Sequence, residues 1–126
     1  MAHSFRDLKI WQNGYGLLME IYRITAEYPE EEKYGLISDT RRSANSVIAN
    51  IAEAHGRYYF ADKSRVLYQS RGETEEIRSH LSVAQGLGYI DKNTFERLDS
   101  AYEGLSKGIS SYVSSLKRQK KENLIL

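Results

Sequence analysis

Apolar residues recur every three or four positions through most of the chain, and this pattern predicts four long helices. In the first, over about 7–28, Leu8, Trp11, Tyr15, Leu18 and Tyr22 form one heptad stripe, with Ile10, Leu17, Ile21, Ile24 and Tyr28 alongside. Two stripes give this helix more apolar surface than a single core face uses. Asp7 stands where an N-cap belongs. Pro29 marks the stop, because the residue before a proline is steered away from helical geometry.

The second helix is expected over about 35–55, with Ala44, Val47, Ile48, Ile51 and Ala52 apolar and Gly56 placed to end it. The third, over about 62–87, carries Leu67, Ser70, Thr74, Ile77, Leu81 and Ala84 before Gly88. The fourth, over about 91–117, starts at a capping Asp91 and repeats Phe95, Leu98, Tyr102, Leu105, Ile109, Tyr112 and Leu116. The tail, 118–126, is polar and then briefly apolar, and is expected to fray or to dock on a partner. Helices roughly 30–40 Å long at 1.5 Å per residue, joined by short connections, predict an all-α, antiparallel up-down-up-down four-helix bundle over one domain, 1–126.

Two segments are built of unusually small residues. Arg42–Arg57 reads RSANSVIANIAEAHGR. On a helical wheel Arg42, Ser46, Asn50, Glu53 and Arg57 share one side, opposite Ala44, Val47, Ile48 and Ile51. That side suits a close-packed polar seam, in which Asn50 and Glu53 meet donors from a neighbouring helix or subunit, so that Asn50→Leu or Glu53→Ala would disturb folding or assembly. Arg71 and Glu76 of the third helix are candidate members of the seam. On the fourth helix Ala101, Gly104, Gly108, Ser111 and Ser115 form a second stripe. Helical glycine costs about 0.5–1 kcal/mol, which a close helix–helix approach offsets. With the doubled stripe of the first helix, this argues for an oligomer.

Composition removes several function classes. There is no cysteine, so neither a disulfide framework nor thiolate chemistry is available. No apolar run reaches the roughly 18 residues of a membrane span, and the sequence near Met1 lacks a secretory apolar stretch, so a cytoplasmic protein is expected. A net charge of +1, from 18 Lys+Arg against 17 Asp+Glu, gives no global attraction to nucleic acid. Position changes that picture. In an up-down bundle the amino terminus, the second connection and the carboxyl tail share one end, collecting Arg6, Lys9, Arg57, Lys63, Arg65, Lys117, Arg118, Lys120 and Lys121. The other end collects Glu27, Glu30, Glu31, Glu32, Asp39 and Asp91. Tyr58, Tyr59 and Phe60 lie beside the cations, and exposed aromatics next to Lys and Arg suit single-stranded RNA. The candidate nucleic-acid set is Arg57, Tyr58, Lys63, Arg65, Lys117, Arg118, Lys120 and Lys121. The plainer alternative is that charges gather at helix ends and that Tyr59 and Phe60 plug the bundle.

Enzymatic readings find no support. A di-iron bundle needs Glu-x-x-His pairs, whereas Glu76 precedes His80 by four positions and Glu53 precedes His55 by two. Neither an Arg-x(4–6)-His motif nor a Ser–base–acid triad is present. No metal, cofactor or catalytic residue is assigned.

Arg41-Arg42, Ser46, Asn50-Ile51-Ala52-Glu53, Gly56 and Arg57 carry a resemblance, with Phe5, Leu8, Trp11, Gln12, Tyr28-Pro29, Glu32, Gly35-Leu36, Arg71-Gly72, Glu76 and Gly88-Tyr89-Ile90. Jointly these resemble the bacterial four-helix-bundle family first noted as proteins encoded in 23S rRNA intervening sequences. The chain departs from that pattern at Ile48, Ala54, Ser70–Thr74 and Tyr58–Phe60. The resemblance implies a left-handed bundle assembled as a ring-like homopentamer, without established enzymatic activity. It is similar more distantly to accessory proteins of diversity-generating retroelements, which engage a reverse transcriptase and nucleic acid. Two readings stay open: an RNA-associated oligomeric scaffold, or an adaptor that holds a partner enzyme and touches no RNA.

Overall fold

The computed structural model describes residues 3–126; Met1 and Ala2, part of the expected domain, lie outside them. Its long elements are α1 (Lys9–Thr25), α2 (Leu36–Gly56), α3 (Phe60–Gly86) and α4 (Lys92–Lys121), with short 3-10 turns at Phe5–Asp7 and Glu30–Glu32 and no strand among the described residues.

The chain enters through a reciprocal cap. Ser4 Oγ accepts from Arg6 N–H at 3.2 Å, and Asp7 Oδ2 accepts from Ser4 N–H at 3.2 Å. Asp7 therefore closes the 3-10 turn instead of capping the first long helix, and α1 starts two residues later, with Leu8 at the cap. The two apolar stripes of α1 separate. Ile10, Gly14, Leu17, Leu18, Ile21 and Thr25 are buried, whereas Tyr15 and Tyr22 of the heptad stripe are 46% and 45% exposed. α1 stops at Thr25, whose hydroxyl donates back to Ile21 O at 2.6 Å, three residues short of the expected end at Tyr28.

α2 buries Ala44, Val47, Ile48, Ile51 and Ala54, so Ala54 takes the core place expected of Ala52. α3 buries Leu67, Ser70, Thr74, Ile77, Leu81 and Ala84 as the spacing predicts, with Val66 added. Ser70 shows why a core helix tolerates serine: its hydroxyl donates to Val47 O of α2 at 2.7 Å, so no buried polar atom is left unpaired there. Gly88 has φ +79°, and Tyr89 N–H donates to Ala84 O at 2.8 Å, the reversal that favours glycine. Asp91 Oδ1 caps α4 by accepting from Thr94 N–H at 2.7 Å.

Neighbouring helices meet in fixed register. Between α2 and α3 the pairs are Ala54 with Lys63, Val47 with Ser70 and Arg42 with Glu76. Between α1 and α4 they are Glu20 with Arg97, and Gly108 with Ile10. At Gly14 α1 lies close against α2: a Cβ there would lie 2.5 Å from Ile48 Cγ2. The small stripe of α4, expected to meet a helix outside the monomer, is partly used within it. Gly108 faces Ile10 at 3.2 Å from its missing Cβ, and Ala101 packs on the core, while Gly104 stays open.

Candidate nucleic-acid interface

The basic end is assembled by the tail. Helix-favouring KRQKK extends α4 to Lys121, and cations there complement the negative pole of the helix. Asn123 then adopts φ 60°, and Leu124 N–H donates to Gln119 O at 2.9 Å. The chain turns back. Ile125 packs against the core, and Leu126 O accepts from Phe60 N–H at 2.6 Å. The tail expected to fray or seek a partner thus docks on its own chain. One pocket lined by Leu8, His55, Lys63, Leu116 and Ile125 brings the start of α1, the α2–α3 corner and the tail together.

The predicted nucleic-acid residues divide by what they touch. Lys63 donates to Ala54 O at 3.3 Å and His55 O at 3.1 Å, and burial lowers its pKa. It ties off the carboxyl end of α2. Arg57 pairs with Glu53 of its own helix at 3.0 Å. Arg65, Lys117, Arg118, Lys120 and Lys121 are exposed and form no ion pair among the described residues. The Lys120 ammonium lies 5.6 Å from the Phe60 ring, which itself packs on the core. Tyr58 and Tyr59, 67% and 56% exposed, meet edge to face at 5.0 Å. Phe60 fits the plug expectation; Tyr58 and Tyr59 remain available to a ligand.

Of the residues expected in the polar seam, Arg42 and Glu76 pair across α2 and α3, and the rest are scattered. Arg42 bridges α2 to α3, donating to Glu76 Oε1 at 2.6 Å and reaching Glu73 at 3.9 Å. Burial first, then the neighbouring Glu76, pushes the Glu73 carboxyl up. For Glu76 burial acts upward too, but hydrogen bonds from Arg42, Glu73 and Ser43 outweigh it and hold the carboxyl below its usual value. Glu73 Oε2 and His80 Nε2 are buried without a hydrogen-bond partner, although the imidazole nitrogen lies 3.6 Å from Glu76 Oε1. Glu53 meets only Arg57, so it joins no neighbouring helix. Ser46 and Asn50 are half-buried and make no side-chain hydrogen bond within the described residues. Arg71 lies on the other flank of α3, donating to Ser110 Oγ at 2.9 Å with its guanidinium 4.9 Å from the Tyr68 ring.

The strongest polar hub was missed by sequence reasoning. Arg78 donates to Asp99 at 2.8 and 3.3 Å, to Glu75 at 3.1 Å and to Glu103 at 3.2 Å, joining α3 to α4. Its sequence signals are the i,i+3 pair Glu75 and Arg78 and the i,i+4 pair Asp99 and Glu103. Among the described residues no three His, Cys, Asp or Glu side chains are placed to hold a metal, and no helix is long and apolar enough to cross a membrane.

Comparison with known proteins returns one family and one informative fold. The family model described as 23S rRNA-intervening sequence protein matches residues 6–111. A comparison with curated proteins finds no match. Among solved structures, a protein of unknown function from the S23 ribosomal protein family of Bacteroides thetaiotaomicron VPI-5482 is similar, with a TM-score of 0.77 at 21% identity. The match covers 83% of this chain and 95% of that one, and shows the shared fold.

Proposed function

The chain belongs to the 23S rRNA-intervening sequence protein family, and we propose that it acts as a non-enzymatic oligomeric scaffold associating with RNA through its basic end. The observation that carries this reading is the row Lys117, Arg118, Lys120 and Lys121, exposed and without a carboxylate partner, near the exposed Tyr58 and Tyr59. Cations free of internal ion pairs are available to phosphates, and exposed aromatic faces are available to bases. Arg57 and Arg65 complete the surface; Lys63 supports it from beneath.

In this reading the bundle is antiparallel, up-down-up-down and left-handed, and the protein is cytoplasmic. The falling register of α2 against α3 supports the topology. Identical subunits form a ring, a pentamer by the family resemblance, in which the basic ends add together. RNA retention by the purified protein tests the proposal. Affinity should fall steeply with salt, and replacing Lys117, Arg118, Lys120 and Lys121 by Ala should lower the log–log salt slope by up to about 2.8, at about 0.7 per phosphate contact. Absence of binding at low salt, or binding unchanged in that variant, would overturn it.

A second reading has its own support. Tyr15, Met19 and Tyr22 leave an apolar face along α1, 46%, 42% and 45% exposed. An adaptor would use it to hold a partner enzyme such as a reverse transcriptase. A protein inert to RNA, yet released from that partner by Met19→Lys, would establish this reading instead.

A further inference from the structure

The acid-free surface does not stop at the bundle's end. From Gly104 through Lys121 α4 carries no Asp or Glu, the longest such run in the chain. Within it Lys107, Ser111, Ser114, Lys117, Arg118 and Lys121 are exposed at helical spacing. They form one row about 21 Å long at 1.5 Å per residue. Facing it, α3 has no acid from Lys63 to Gly72, and Arg65, Tyr68, Arg71 and Gly72 are exposed there.

Between the rows runs an open groove of about 660 Å³, lined by Tyr68, Arg71, Gly72, Ser106, Ser110 and Ser111, with Glu75 and Lys107 also on its wall. Two of the three charged wall residues have ionic partners: Glu75 with Arg78 at 3.1 Å and Lys107 with Glu103 at 3.4 Å. Arg71 has none of opposite charge. It is steadied by Ser110 and by the Tyr68 ring, and its remaining N–H groups meet no acceptor within the described residues.

We infer that this α3–α4 groove binds a single strand of nucleic acid, continuing the path that begins at the basic end. The inference rests on the RNA association proposed above and extends it. The groove offers what such a strand requires. Hydroxyls and cations contact phosphate oxygens, an Arg–Tyr stack provides a planar surface for a base, and glycine leaves room for backbone approach. A duplex keeps its bases paired and stacked inside and offers no free base face to the Arg–Tyr surface, whereas a single strand does.

The test is anisotropy of a 5′-fluorescein-labelled oligouridylate of about 16 nucleotides, titrated with full-length protein at low salt. Gly72→Glu is the informative variant. A Cβ at Gly72 meets nothing within 4 Å, so the fold accepts the side chain while the groove gains a negative charge. It should weaken binding about tenfold or more, with the melting temperature maintained, and Gly72→Ala should bind like the parent. Arg71→Ala should lower the salt slope by about 0.7.

Parent-like binding by Gly72→Glu, with loss only in the Lys117/Arg118/Lys120/Lys121 variant, would overturn the groove and leave the basic-end reading standing. Loss in Gly72→Glu with parent-like binding in that fourfold variant would support the groove and overturn the basic end. No binding by the parent would overturn both. A change of native mass in Gly72→Glu would identify the groove as an interface between copies and overturn the inference. Equal binding of a duplex, equally sensitive to Gly72→Glu, would also overturn it.

Discussion

At the end of the bundle where the Tyr28 and Tyr89 rings meet at 5.3 Å, tilted by 43°, charged side chains are part of the fold. Glu32 accepts from the Tyr89 hydroxyl at 2.9 Å and from Leu36 N–H at 3.4 Å, and Asp91 caps α4. At the opposite end Lys63 has a comparable role, but Lys117, Arg118 and Lys121 touch no carboxylate among the described residues. The chain's near-zero net charge conceals this difference. A charge already satisfied by the fold gives little to a ligand, so unmatched charge is the better guide to a binding surface.

Substitutions can break or sharpen the contrast. The largest effect is expected from opposing variants at the two ends. Glu32→Ala should lower Tm by a few degrees and leave RNA affinity unchanged. The fourfold alanine variant of the α4 row should lose RNA affinity while its stability stays within about 1 kcal/mol, as expected of surface positions. Similar effects from both, by thermal melting and RNA titration, would erase the distinction. Next in size, Lys63→Met should cost about 1 kcal/mol through the lost carbonyl contacts, while RNA affinity stays within twofold. A large affinity loss there would return Lys63 to the ligand surface.

The smallest effect is expected at Tyr28. Its hydroxyl is buried without a partner, and burial pushes its pKa up to about 12. Tyr28→Phe removes a desolvated group that gains no hydrogen bond, so chemical denaturation should find stability unchanged or raised by up to about 1 kcal/mol. A clear loss would mean that this hydroxyl also serves the fold.

How far the sequence could be read depended on the range of each interaction. α3 was legible in its core positions, including Ser70 and Thr74, because a 3-4 alternation reports directly on one buried face. α1 was harder to read: its Tyr-rich heptad stripe competes with the stripe that is buried, and nothing local ranks the two. Arg71 and Glu76 were grouped as one seam although five helical steps separate them by about 140°, which places them on different flanks. Lys63 could not be assigned locally, since its partners are carbonyls of another helix. The sequence leaves the basic tail to fray or to dock on a partner, because composition alone does not reveal the Asn123 reversal.

That reversal decides how the start of α3 is protected from solvent. The Phe60 amide finds its acceptor at Leu126, 66 positions later in the chain (126 − 60). The side chain of Tyr59, at the N-cap of α3, offers no substitute. Protection of this amide from hydrogen exchange should therefore follow the tail's docking, not the core of α3. The aromatic corner beside it is then secured from the far end of the chain.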